Sequence, residues 1–124
     1  MESSYVSNAH LNIADANKTA ALKLLDMNGK SLIKIFSVYF IPASCSKTAI
    51  DECKITLYDS DPSASGQSFY QKRIVSGSYQ SYANFTNCTV ESFSPGGILV
   101  DCNDIYVQAT GVGICFASIV YQGS

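Results

Sequence analysis

The clearest pattern along the chain is the alternation between Glu52 and Tyr58. Cys53, Ile55 and Leu57 fall on one face, and Lys54, Thr56 and Tyr58 on the other. A period of two over this length predicts a half-buried β-strand. Lys30 to Ile41 reads as a longer strand, with Ile33, Ile35, Val38, Tyr39, Phe40 and Ile41 as its β-branched and aromatic mass, and Pro42 ends it. Just before it, Thr19 to Met27 holds Ala20, Ala21, Leu22, Leu24 and Leu25, a content that suits a short helix by local propensity. That stretch runs directly into Asn28-Gly29, the strongest short hairpin signal. The prediction is therefore a β-hairpin turning at Asn28-Gly29.

Further strands are predicted at Ser68 to Val75, Tyr79 to Phe85, Thr89 to Phe93, Ile98 to Cys102, Ile105 to Thr110 and Ile114 to Tyr121. They are separated by Asp59 to Gly66, Ser76-Gly77-Ser78, Ser94-Pro95-Gly96-Gly97, Asn103-Asp104 and Gly111-Val112-Gly113, all rich in turn residues. The expected fold class is all-β: an antiparallel β-sandwich, jelly-roll-like, of seven or eight strands. Residues 1–18 are polar and weakly patterned, and read as an N-terminal arm. Residues 19–124 form a single sandwich domain. The two continuously apolar strands, Lys30 to Ile41 and Ile114 to Tyr121, are expected to be central or to face a partner subunit.

Composition narrows the function classes. The 124 residues suit one domain, are 47% hydrophobic and only 15% charged, and carry a formal net charge of -2. Arg73 is the sole arginine, and no basic footprint extends beyond Lys72-Arg73, so neither nucleic acid nor an anionic membrane is an expected partner. Met1 to Ala14 lacks the basic and apolar regions of a signal peptide. Ile105 to Ser124 carries no charge, yet Gln108, Thr110, Gly111, Gly113, Ser118 and Gln122 make it too polar to span a bilayer. The three Asn-x-Thr matches, at Asn17, Asn84 and Asn87, reflect Asn and Thr abundance.

Candidate chemistry is sparse. The five cysteines, at 45, 53, 88, 102 and 115, include no C-x-x-C. They read as mostly buried thiols, with a Cys45–Cys53 clip as the alternative in an oxidising compartment. His10 is the only histidine and lies in the polar arm, without the support a catalytic imidazole needs. The acid pairs Asp59/Asp61 and Asp101/Asp104 read as turn residues. Asp59-x-Asp61-x-Ser63 begins like a calcium-binding EF-hand loop, but Ala64 and Tyr70 stand where the loop needs Gly and a bidentate Glu. No catalytic residue, metal ligand or cofactor is assigned, and the chain is not expected to be an enzyme. A candidate contact surface is Tyr79, Tyr82 and Asn84, where aromatic rings sit among Ser and Asn.

Two stretches carry a resemblance. They are Asn28-Gly29-Lys30 through Val38-Tyr39-Phe40 to Cys53–Asp59, and Gly97–Val100 with Ile105–Ala109 and Ala117–Tyr121. Their rhythm of turns and strands, over roughly Ala20 to Gln122, resembles the small β-sandwich virion proteins of tailed bacteriophages. The resemblance implies a non-enzymatic structural protein located in the virion. It would be a capsid decoration or cement protein, or a fibre or spike component. The implied partners are other copies of the chain in a symmetric homo-oligomer, a homotrimer being the expectation, together with the major capsid protein or another virion protein. The alternative is a carbohydrate- or receptor-binding module of a viral fibre or spike, using Tyr79, Tyr82 and Asn84, with Asp59 and Asp61 holding calcium.

Overall fold

The computed structural model describes residues 6–13, 20–42, 52–75, 89–93, 95–111 and 114–123. They form seven strands: β1 Ser7–Asn12, β2 Leu22–Pro42, β3 Glu52–Tyr58, β4 Ser68–Val75, β5 Thr89–Ser92, β6 Ile98–Gly111 and β7 Ile114–Gly123. All pairings are antiparallel. The strand order is β1-β7-β2-β6-β3-β4, and β5 pairs with β2 as well. The all-β expectation holds. The two apolar strands are indeed central: β7 lies between β1 and β2, and β2 between β7 and β6.

The predicted hairpin at Asn28-Gly29 is absent. β2 runs unbroken through both residues for 21 positions. The break predicted at Asn103-Asp104 is likewise absorbed into β6. The two signals face each other across one ladder. Asp26 pairs with Asp104 and Ser31 with Cys102, so residues 27–30 lie opposite Asn103 alone. Asn28 and Gly29 have φ angles of +56° and +127°. Such angles suit a type I′ turn, and they also suit a large bulge. Here the second use wins, because both flanking segments of β2 have β6 to pair with. The Asn28 N–H donates to Asp26 Oδ1 at 2.8 Å, closing the bulge locally.

A bulge shifts the period of two, so it moves the buried set to the other parity. β2 buries Leu24 before the bulge and Ile33 and Ile35 after it. A second irregularity between Ile35 and Ser37 restores even parity, and Val38 and Phe40 are buried. β6 makes the matching change, from Val100 and Cys102 to Ile105, Val107 and Ala109. Gly29→Ala is expected to lower the unfolding free energy by about 1–3 kcal/mol from backbone strain. An added Cβ meets no atom within 4 Å, so no clash contributes. A urea titration measures the change.

These bends fold the sheet onto itself in a sandwich-like arrangement. In the plane of a flat sheet β4 would lie about 14 Å from β2, three strand spacings away. Instead the Phe40 ring on β2 stacks on Tyr70 of β4 at a centroid distance of 6.3 Å. One core cluster joins residues from β2, β3, β6 and β7, with Phe40, Ile33, Ile35, Ile55, Leu57, Ile105 and Ile119 among its largest fully buried side chains.

Residues 7–12, read as part of a polar arm, are the edge strand β1 of the chain's own sheet. Their apolar positions, Ala9 and Leu11, pack against the core. Only two such residues in six gave too little hydrophobic signal to mark a strand.

Candidate functional site

β1, the part of β2 after Lys34, and β7 are neighbours in the sheet. None of the residues in Ser7–Asn12, Ile35–Pro42 or Ile114–Gly123 is Asp, Glu, Lys or Arg. Their core-facing side chains are Ala9 and Leu11, Val38 and Phe40, and Ala117 and Ile119. The opposite face is fixed by the register. One row is Asn12, Phe116, Ile41; the next is His10, Ser118, Tyr39; the third is Asn8, Val120, Ser37.

The aromatic members pack across this grid. His10 stacks on Phe116 at 6.0 Å and 20°, and Tyr39 meets Phe116 edge-on at 5.8 Å and 71°. Ser118 lies in the middle row and is only 7% exposed. The outer face of an antiparallel sheet is ordinarily the wetted, polar one. Here it carries no Asp, Glu, Lys or Arg, and its β2 and β7 columns are buried or half-buried with Tyr39 and Phe116 among them, while Asn8, His10 and Asn12 are exposed. That is the character of an interface core, where charge is depleted and Tyr and Phe are enriched. The uncharged C-terminal stretch is visible in the sequence, but the face is not, because β1 and β2 must be registered on β7 before the rows exist.

His10 therefore stands on a strand of the sheet, and its ring packs on Phe116. Tyr79, Tyr82 and Asn84 lie outside the described residues.

Asp59 and Asp61 shape the β3–β4 turn. Asp61 Oδ1 accepts from the Ser63 hydroxyl at 2.8 Å and from the Ser63 N–H at 2.9 Å. These two bonds, the hydroxyl first, hold the Asp61 carboxyl below its ordinary range. Asp59 Oδ1 accepts from the Gln67 N–H at 2.9 Å, and its carbonyl accepts from the Asn103 N–H at 3.1 Å. Asn103, the residue opposite the β2 bulge, is thus tied to the turn. Asp59, Ser60, Ser65, Gln67, Asp101 and Asn103 line an open depression of about 280 Å³, which brings together acids from the two pairs that lie far apart in sequence. Among the described residues, no group of three or more His, Cys, Asp and Glu is placed to hold a metal ion. A second depression, of about 480 Å³, is lined by Ala20, Ala21, Asp61, Pro62, Ser63 and Gln108.

Tyr70 donates to Glu91 Oε1 at 2.6 Å, linking β4 to β5, and Lys72 Nζ approaches the same carboxylate at 3.9 Å. Burial, followed by the Glu91 hydrogen bond, pushes the Tyr70 phenol well above its ordinary value. Cys45, one half of the Cys45–Cys53 clip, lies outside the described residues. Cys53 and Cys102 are buried as expected, whereas Cys115 is exposed. Burial, helped by Asp59, Asp101 and Asp104, pushes the Cys102 thiol up to about 11 from an ordinary value of 9.0.

Both raised groups act in the same direction on stability. Above pH 9.0 the unfolded chain releases the Cys102 proton, and above 10.0 the Tyr70 proton, while the folded chain retains both. The folded state then binds more protons, and stability falls as pH rises. The melting temperature is expected to decline from pH 9 to pH 11, the window between the two Cys102 values. A Cys102→Ala/Tyr70→Phe variant should show a shallower decline in the same scan.

No protein-family model matches the chain, and no curated protein matches it.

Proposed function

We propose that the chain is a structural, non-enzymatic virion subunit, a capsid decoration or cement protein that works as a homo-oligomer, built on a jelly-roll-like sandwich. The observation that carries the assembly reading is the uncharged outer face formed by β1, β7 and β2. A protein of this size buries a limited share of its surface alone, and association covers more apolar area. The virion reading rests on the resemblance in strand and turn rhythm.

Light scattering coupled to size-exclusion chromatography tests the assembly. A homo-oligomer at micromolar concentration is expected, and a clean monomer overturns it. Gene neighbourhood tests the virion role. Adjacent capsid, portal or tail genes support it, and a metabolic operon overturns it. The rival reading, a carbohydrate-binding module, is favoured by the depression that Asp61, Ser63 and Gln108 line with polar groups. A glycan array with and without chelator separates the two. Reproducible glycan binding that is lost in Tyr79→Ala or Tyr82→Ala would replace the structural reading with the rival.

A further inference from the structure

We infer that β1 is a self-pairing edge, through which two copies of the chain join their sheets about a two-fold axis. The inference rests on the self-assembly proposed above and specifies its geometry.

Strand edges without a described partner strand include β1, β4 and β5 on their outer sides, the first part of β2 on the side away from β6, and the first part of β6 on the side away from β2; the β5 and β6 stretches carry Glu91 and Asp101. Proteins protect such edges with charges, prolines or bulges. β4 carries Lys72 and Arg73 at its centre, and Arg73 Nε is paired with Glu52 Oε1 at 2.8 Å. The open part of β2 carries Lys23 and Asp26 and the bulge at residues 27–30. β1 has none of these devices. Its sequence, Ser-Asn-Ala-His-Leu-Asn, contains no proline and none of the four charged residue types, and its register on β7 is regular.

The direction of its backbone groups follows from one bond. The Ile13 N–H donates to the Cys115 carbonyl at 2.9 Å, toward β7. In an antiparallel ladder the N–H and C=O of one residue point the same way, and alternate residues point oppositely. Leu11, Ala9 and Ser7 therefore face β7, and Asn12, His10 and Asn8 present their N–H and C=O groups to the open edge.

Those three residues set the register of a symmetric pair. His10 opposite its symmetry mate, with Asn8 opposite Asn12 of the other copy, satisfies every outward N–H and C=O of Asn8, His10 and Asn12. Within the six residues of β1, a shift of two positions leaves an outward N–H and C=O with no β1 residue opposite. No Asp, Glu, Lys or Arg side chain meets another in this register. The side chains of the same three residues lie on the uncharged grid, so pairing also makes one continuous uncharged face across both copies. An isologous contact of this kind closes on itself as a dimer. The assembled unit is then a dimer, or dimers arranged in a higher symmetry, in place of a bare trimer.

The test is sedimentation velocity across a concentration series on the wild type, His10→Pro and His10→Lys, with amide exchange followed by NMR. Proline at position 10 removes an outward N–H and leaves the β7 ladder its donors. It deletes two hydrogen bonds across the axis, each worth about five-fold in affinity, so dimerisation is expected to weaken roughly 30-fold. His10→Lys places like charges opposite each other, keeps the backbone intact, and is expected to weaken dimerisation as well. It therefore serves as the decisive variant if the proline protein fails to fold. In the wild type, the amides of Asn8, His10 and Asn12 should gain exchange protection as concentration rises, while those of Ala9 and Leu11 are protected throughout. Association that survives His10→Lys, with no concentration-dependent protection at positions 8, 10 and 12, overturns the edge inference and leaves the assembly proposal standing. A wild type that stays monomeric at every concentration overturns both.

Discussion

Replacing Phe40 with alanine is expected to lower the unfolding free energy by about 3–5 kcal/mol, the usual cost of emptying a buried aromatic site. The Phe40 side chain is fully buried, at 0% exposure. It is also where the folded sheet meets itself. Its ring stacks on Tyr70, which packs edge-on against Phe93 at 5.6 Å and hydrogen-bonds Glu91. A cavity here therefore loosens β2, β4 and β5 together. Leu99→Ala is the control. Leu99 is 65% exposed, so its truncation should change stability by no more than about 0.5 kcal/mol. Urea unfolding of both variants against the wild type gives the comparison. A Phe40→Ala loss below about 1 kcal/mol would show that the layers are not packed through this ring.

Gly111→Ala is expected to cost about 3 kcal/mol or more, from two effects that add. The residue has a φ of +81°, where an L side chain costs about 1–2 kcal/mol. A Cβ there would also press into the backbone carbonyl oxygen of Glu52. That carbonyl belongs to β3 and cannot swing aside as a side chain would. Gly111 ends β6 beside β3, and three residues later Ile114 begins β7 beside Pro42 of β2. Gly96→Ala separates the two effects. Gly96 has a φ of +76°, but a Cβ there meets nothing within 4 Å, so only the conformational part should appear. Equal losses in the two variants would show that the approach of Glu52 does not matter.

Much of the fold is legible in the residues. β3 matches its prediction from Glu52 to Tyr58, because alternation there is strict and Asp59-Ser60-Asp61-Pro62 closes it. β4 also matches its predicted span, Ser68 to Val75, which follows the turn ending at Gly66. The misreadings share one physical origin. Asn28-Gly29 and Asn103-Asp104 describe what the backbone does locally, and a backbone that tolerates positive φ can reverse or bulge. The choice depends on whether a partner strand is present, and β6 is not adjacent in sequence. β1 was hidden because two apolar residues among six become a strand only when β7 supplies the ladder. The uncharged face was half visible, as a C-terminal stretch without charge. Its other rows come from residues 8–12 and 37–41, which only the register brings together.

Residues 33–35 of β2 have strands on both sides: Val100, Leu99 and Ile98 of β6 on one, and Gly123, Gln122 and Tyr121 of β7 on the other. Residues 37–40 are similarly enclosed by β5 and β7. The central strand β2 is thus completed by the latest-synthesised of the seven. A growing chain can pair β3 with β4 as soon as both have emerged, but β2 keeps an open side until residue 123 is added. Folding is then governed by closing a loop of roughly eighty residues, a non-local step that slows acquisition of structure. The same arrangement leaves no half of the sheet that can come apart by itself, so unfolding is expected to be a single cooperative transition, with the amides of residues 33–35 among the last to exchange.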